Sequence, residues 1–293
     1  MAGFLVVPDA NADDDLTGAV FDTIATTPQT ITGLANGTAY VAYRVSDASG
    51  TFTPTGSSFS EASIGNAGVT SQLDKFTAFA NTADAKTRIM FASVTIPTTW
   101  TGTVRPIKAG YAEDGIRINA DGAMLTRARS TADALIATCS TSTGVVSAGD
   151  RLNVLVTWDT DVGVRLAYKI GAGSWVSSTF VSVTSGVLID NTLTYGDAEI
   201  PKNVTEDFDA VHRVAAWLNG ETVPDITSAS VQNNFVNSDG TLVDPATSRT
   251  AYGTPAIDLY EAAATWNASS GNNSGNGGDF TAGGSSPGTF TDV

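Results

Sequence analysis

Apolar and polar positions alternate most regularly between Arg151 and Trp175. Leu152, Val154, Val156 and Trp158 fall on every second residue, as they do in a pleated strand whose side chains point to opposite faces in turn. Asp159 to Gly163 (DTDVG) then supplies turn chemistry, with a glycine free to take a positive φ. Val164, Leu166, Tyr168 and Ile170 resume the alternation until Gly171-Ala172-Gly173 breaks it. The stretch predicts an antiparallel hairpin. Comparable runs predict strands at Thr87–Ile96, at Ile116–Ile118 and Ala123–Arg129 on either side of an Asn119–Gly122 turn, and at Leu135–Ser140. Further strands are expected at Ser178–Val183, at Val187–Leu193 and from Phe208 to Trp217. Turn residues recurring about every 8–12 positions are the spacing of a β-sandwich or jelly roll.

The two ends of the chain read differently. Gln29–Leu34 and Ala39–Ser46 form a strand pair around Ala35-Asn36-Gly37-Thr38, where the Asn-Gly pair favours a tight hairpin turn. Residues 1–56 are expected as a small β module, 57–72 as a Gly/Ser-rich linker, 73–245 as the sandwich and 246–293 as a docked tail. Near the end of the sandwich, Pro224-Asp225 opens a short helix with Asp225 as its cap. In the tail, Asp258 to Trp266 reads as a second helix, with Leu259, Ala263 and Trp266 on one face. Residues 267–288 are rich in Gly, Ser and Asn, so Phe280 and Phe290 are the apolar anchors expected to tie them down.

Composition removes several function classes. Apolar residues make up 42% of the 293, ample for a core, while only 15% are charged and the net charge is −15. That sign repels phosphate backbones, and the closest approach to a basic cluster is Arg127 with Arg129, so nucleic-acid binding is not expected. No run is long enough for a membrane-spanning helix. The N-terminal stretch MAGFLVVPDANADDD has no basic n-region and is not expected to act as a secretory signal. The single Cys139 and the single His212 rule out a disulfide framework and a zinc site built on those residue types, and both read as strand residues. No nucleophile elbow accompanies His212. The acidic run Glu206-Asp207-Phe208-Asp209 puts Phe208 where a paired-carboxylate hydrolase needs its second acid, so no enzymatic activity is expected. Asp159, Asp161 and Asp239, all in turn sequences, are the candidate calcium ligands, against ordinary side-chain-capped turns. No other cofactor is expected. Trp100, Trp175 and Trp266 are candidate platforms for stacking on sugar rings, against a role in the core.

Three stretches resemble known families. ITGLANGTAYVAYRVSDASG resembles the closing strands of a fibronectin type III or immunoglobulin-like domain, with Leu34, Gly37, Thr38 and Tyr40 at that family's leucine, turn glycine and corner tyrosine. The spacing from Tyr40 to Asp47 is one residue short, and the upstream half with its core tryptophan is missing, so the module is partial. RLNVLVTWDTDVGVRLAYKIGAGSW and FDAVHRVAAWLNGETVPDITSASVQNNF resemble the central hairpin and closing part of a laminin G-like or concanavalin A-like jelly roll, over roughly residues 70–243. That fold hosts lectins, adhesins and hydrolases alike.

The order of modules resembles surface proteins of tailed-bacteriophage virions: capsid decoration proteins, head fibres or tail fibres. The resemblance implies a non-enzymatic structural protein on the virion surface, assembled in the host cytoplasm without disulfides. Its implied partners are other virion proteins such as the major capsid or tail protein, further copies of itself in a homotrimer, and host-surface glycans, with no membrane insertion. Phe4, Leu5, Phe280 and Phe290 are the expected assembly contacts. The alternatives are a bacterial cell-surface lectin or adhesin and a polysaccharide hydrolase, the last resting on Glu206.

Overall fold

In the computed structural model, residues 82–110, 114–178, 180–194, 198, 208, 210–218, 220–260 and 273–278 are described in full, and other segments only as backbone strands. The chain divides into two compact units, Met1–Ser63 and Ile64–Val293. The first holds β1 (Gly3–Pro8), β2 (Val20–Thr23) and β3 (Tyr40–Val45) in an antiparallel sheet of order β2-β1-β3. The expected strand Gln29–Leu34 and its Asn36-Gly37 turn lie outside the described residues.

The second unit begins with β4 (Ala67–Val69), β5 (Lys75–Phe76), β6 (Thr87–Thr95), β7 (Val104–Ala109), β8 (Gly115–Ile118), β9 (Met124–Arg129) and β10 (Leu135–Ser140). It continues with β11 (Arg151–Asp159), β12 (Gly163–Ile170), β13 (Val176–Ser177), β14 (Ala198–Glu199), β15 (Lys202–Asn203) and β16 (Ala210–Trp217). Two helices follow, α1 (Ala229–Gln232) and α2 (Pro245–Tyr252), then β17 (Ile257–Leu259), β18 (Phe280–Thr281) and β19 (Phe290–Asp292).

The fold is an all-β sandwich of two antiparallel sheets. The larger runs β13-β12-β11-β6-β16-β4-β19, with β17 also on β16, and the smaller runs β10-β9-β8-β7-β14, with β15 also on β7. The Arg151 hairpin is formed as expected, pairing Leu152 with Ile170 through to Asp159 with Gly163. Between the sheets, Met90, Ala92 and Val94 of β6 and Leu152, Val154, Val156 and Trp158 of β11 meet Ile107, Ile116, Ile118 and Met124. Trp158 Nε1 donates to Thr126 Oγ1 at 3.2 Å, which ties the two sheets across the core.

The large sheet is covered on its other face too. Ile89 and Phe91 of β6, Leu155 of β11 and Ala215 and Trp217 of β16 pack against Ile226, Phe235 and Val236 from the α1 region. Strands buried on both faces read as near-continuous apolar runs, which is why RIMFASVT and VAAW lack clean alternation. One phase change adds to this. The pairing of β16 with β6 slips between Val211 and Arg213, leaving His212 as the extra residue of a β-bulge.

Several expectations are corrected. Ser178–Val183 is not a full strand: β13 covers Val176–Ser177, and Val181 makes one isolated bridge to Val164. Val187–Leu193 is no strand either. Ile189 bridges both Ala85 and Ser130, and Leu193 has φ +59°, so the segment straps the side of the sandwich instead of joining a sheet. Asp225 caps no helix. Its carboxylate holds a turn by accepting from Thr227 N at 3.1 Å, and α1 starts later with Ser228 at its N-cap position. Asp258 does not open a helix but is the centre of β17, paired with Ala215. Part of the expected 57–72 linker is β4, which pairs with β16 and β19. Past residue 245, β17 pairs with β16 of the large sheet.

Candidate functional site

The end of the β11–β12 hairpin forms the wall of an open cleft of about 270 Å³. Its shape follows from the turn. Asp159 Oδ1 accepts from Asp161 N at 2.9 Å, and Val162 N donates to the Asp159 carbonyl at 3.0 Å, which turns the chain back at Gly163. Gly163 has φ +150°, and a Cβ there would sit 2.3 Å from Phe180 Cζ and 2.5 Å from the Val181 carbonyl. Only glycine lets the Phe180 ring lie against the hairpin backbone. Reciprocal bonds between Val164 and Val181, at 2.8 and 3.0 Å, hold that neighbour in place.

Phe180 remains 38% exposed, and Val162 62%. The Arg165 guanidinium lies 5.3 Å from the Phe180 ring centroid and donates to Asp225 Oδ1 at 3.3 Å. Asp225 comes from the connection between β16 and α1, which also lines the cleft with Val223, Pro224 and Ile226. The backbone and hydroxyl of Thr227 hold the Asp225 carboxyl below its usual range, helped by Arg165. The cleft thus joins apolar surface to two carboxylates and one guanidinium. Three segments about 20 and 45 residues apart in sequence build it, so no local motif announces it.

The residues picked out from sequence are placed elsewhere or singly. Asp159 lines the cleft. Asp161 faces away into polar partners: Lys86 Nζ at 2.6 Å, Ser185 Oγ at 2.9 Å and Gly186 N at 3.1 Å, and Lys86 is the first cause holding its carboxyl below the usual range. Asp239 lies at the opposite end of the hairpin, where Asn153 Nδ2 donates to the Gly240 carbonyl. Along an eight-residue strand that is roughly 25 Å away, so Asp239 does not join Asp159 and Asp161. Asp239 accepts from Thr241 N and Oγ1, while Lys169 Nζ takes the neighbouring Ser238 carbonyl at 2.8 Å. Among the described residues, no three His, Cys, Asp or Glu side chains converge on one point.

Trp100 is half-buried against the core between the sheets, and Trp175 is half-buried against the core on the outer face of the large sheet. The two therefore do not share a site. Trp266, Glu206, Asp207 and Asp209 lie outside the described residues, and Phe208 is a core residue, 2% exposed. Phe4 lies in β1, Leu5 beside it, Phe280 in β18 opposite Phe76 and Phe290 in β19 opposite Val69. Cys139 is buried, with its Sγ 3.1 Å from Ser178 Oγ.

Two buried groups make stability depend on pH in opposite directions. Burial and the Arg151 charge push His212 down to about 3, below its usual 6.5. Its contribution is therefore present above pH 6.5 and lost as pH falls towards 3. Burial pushes Asp114 up to about 6 from 3.8, against Arg88 and Arg129, so its contribution is full below pH 3.8 and lost as pH rises through 6. His212→Gln, which keeps a partner for Thr95 Oγ1, is expected to flatten the loss of stability between pH 6.5 and 3 in urea titrations. An unchanged acid limb would show that His212 charges in the folded state.

No protein-family model matches the chain, and no curated protein matches it. Among solved structures, the enzymatically active domain of tailspike protein 2 from bacteriophage CBA120 aligns at 11% identity with TM-score 0.32, over 49% of this chain and 24% of that one. Toad ovary galectin, in complex with thio-digalactose, aligns at 13% identity with TM-score 0.26, over 47% of this chain and 98% of that one. The chain thus spans about a quarter of the tailspike domain's length. Scores this low leave function to be read from the residues themselves.

Proposed function

We propose that the protein is a non-enzymatic structural component of a bacteriophage virion surface that attaches to host-surface glycans. The observation that carries the binding part is the cleft at the end of the β11–β12 hairpin. Exposed Phe180 and Val162 offer apolar faces for the C–H side of a sugar ring, and Asp159, Asp225 and Arg165 offer acceptors and donors for its hydroxyls. The virion part rests on the order of sequence resemblances, an immunoglobulin-like stretch followed by stretches resembling a laminin G-like or concanavalin A-like jelly roll and a Gly/Ser-rich end. In this reading the Met1–Ser63 unit grips a capsid or tail protein, and the sandwich is displayed outward in a homotrimer assembled in the host cytoplasm.

Two measurements on the full chain test it. Light scattering is expected to give a mass about three times the 30.1 kDa chain. Peptides of the chain are expected in purified virions, and added protein is expected to slow phage adsorption to host cells. A monomer that is absent from virions sinks the proposal. Cell-bound protein recovered only from uninfected bacteria would favour the bacterial adhesin instead.

A further inference from the structure

We infer that the hairpin-end cleft takes one uncharged pyranose ring and rejects acidic sugars; this rests on the attachment reading above and names its ligand class. The volume comes first. About 270 Å³ is just below the roughly 300 Å³ at which ligand sites begin, so the open cleft itself holds one ring and any further sugar units lie outside it in solvent.

The chemistry of the walls then selects among rings. Apolar surface comes from exposed Phe180 and Val162, with part-exposed Val223 and Pro224 also lining the cleft, and such surface accepts a C–H face of a pyranose chair. Asp159 Oδ1 is engaged by Asp161 N, and Asp225 Oδ1 by Thr227 and Arg165, which leaves an Oδ2 of each carboxylate for ligand hydroxyls. A carboxylate accepting from sugar hydroxyls makes charge-assisted hydrogen bonds, stronger than neutral ones.

Charge excludes the acidic sugars. The cleft holds two carboxylates and one guanidinium, and that guanidinium is already paired with Asp225. A uronic or sialic acid would bring a third negative charge into a site of net negative sign, on a chain of net charge −15. An uncharged ring meets no such repulsion.

The test uses the folded full chain and free sugars. Saturation-transfer NMR and calorimetry would compare methyl β-galactoside, methyl α-mannoside and N-acetylglucosamine with galacturonic acid and N-acetylneuraminic acid. At least one neutral probe is expected to bind about tenfold or more tighter than either acid. Phe180→Ala, at a position 38% exposed, is expected to weaken neutral binding about tenfold in a protein that still melts cooperatively. Gly163→Ala, which drives a methyl into the Phe180 ring, is expected to weaken it similarly. Asp159→Asn keeps the Oδ1 acceptor but removes a charge, so it is expected to narrow the gap between neutral and acidic probes.

Tighter binding of an acidic probe overturns the inference. So does neutral binding that is unchanged in both Phe180→Ala and Gly163→Ala, and in that case glycan attachment stands with its site elsewhere. Failure of the wild-type protein to bind any probe, or any glycan on a printed array, overturns the attachment reading together with the ligand class.

Discussion

Replacing Asp258 with alanine is expected to destabilise the protein by about 3–5 kcal/mol, the usual cost of removing one partner from a buried ion pair. The carboxylate is fully buried and serves two arginines. Arg213 Nε donates to Oδ1 at 2.9 Å, and Arg213 Nη2 and Arg249 Nε donate to Oδ2 at 3.0 and 2.9 Å. Arg213 is itself 0% exposed, with the Phe91 and Tyr260 rings 5.8 and 5.9 Å from its guanidinium carbon. Without Asp258 it is left with Ser248 Oγ at 3.0 Å and no counter-charge. Arg249 is 27% exposed and can turn towards water, so most of the cost falls on Arg213. The same reasoning predicts a rescue. The double variant Arg213→Met, Asp258→Leu is expected to recover most of the loss, because an apolar pair needs no desolvated charges. Guanidinium unfolding of the wild type and both variants measures this. Equal stability of Asp258→Ala and wild type would mean that Arg213 reaches water, contrary to its burial.

That network shows where sequence stops being legible. Regular alternation exposed the β11–β12 hairpin, and the turn at Asn119–Gly122 exposed β8 and β9, because each rests on neighbours in sequence. Strand β7 escaped because VRPIKA contains Pro106, which argues against a paired strand. In the fold, its register with β8 shifts between Val104 and Ile107, so the missing proline N–H falls where no regular ladder bond is needed. Helix α2 did carry local signals: Asp244 accepts from Ala246 N at 2.8 Å, Pro245 opens the helix and Gly253 closes it with φ +80°. They were masked by a weak apolar stripe, since only Pro245 and Ser248 are buried.

The tail was misread for a different reason. Helical spacing of Leu259, Ala263 and Trp266 suggests one face, but Ile257–Leu259 pairs with the edge of β16, a tertiary contact that overrides local preference, while 261–266 lie outside the described residues. The cleft was least legible. In sequence Asp159 reads as a metal candidate and Asp225 as a cap, and nothing local joins either of them to Phe180.

The second large effect lies on the outer face of the large sheet, where Trp217→Ala is expected to cost about 3–5 kcal/mol. Trp217 is 0% exposed and meets Phe235 and Tyr252 edge-on, with centroids 6.0 and 6.2 Å away, while those two rings stack on each other at 5.6 Å. Its Nε1 donates to the Gly253 carbonyl at 2.8 Å, pinning the end of α2. Truncation removes a large apolar volume and leaves that carbonyl without its donor, so two costs add. Trp217→Phe is expected to restore part of the packing but not the bond to Gly253. The core between the sheets does not contain Trp217, so the loss should be uneven. Hydrogen exchange is expected to accelerate across 226–253 while β8 and β9 stay protected. Uniform acceleration would show that the helical layer and the sandwich unfold as one unit. The cleft is tied to the same layer, because Ile226, 1% exposed, packs in that core directly after Pro224 and Asp225. A folded Trp217→Ala protein should therefore bind sugar more weakly than wild type, whereas Met124→Leu, a conservative change in the core between the sheets, should not.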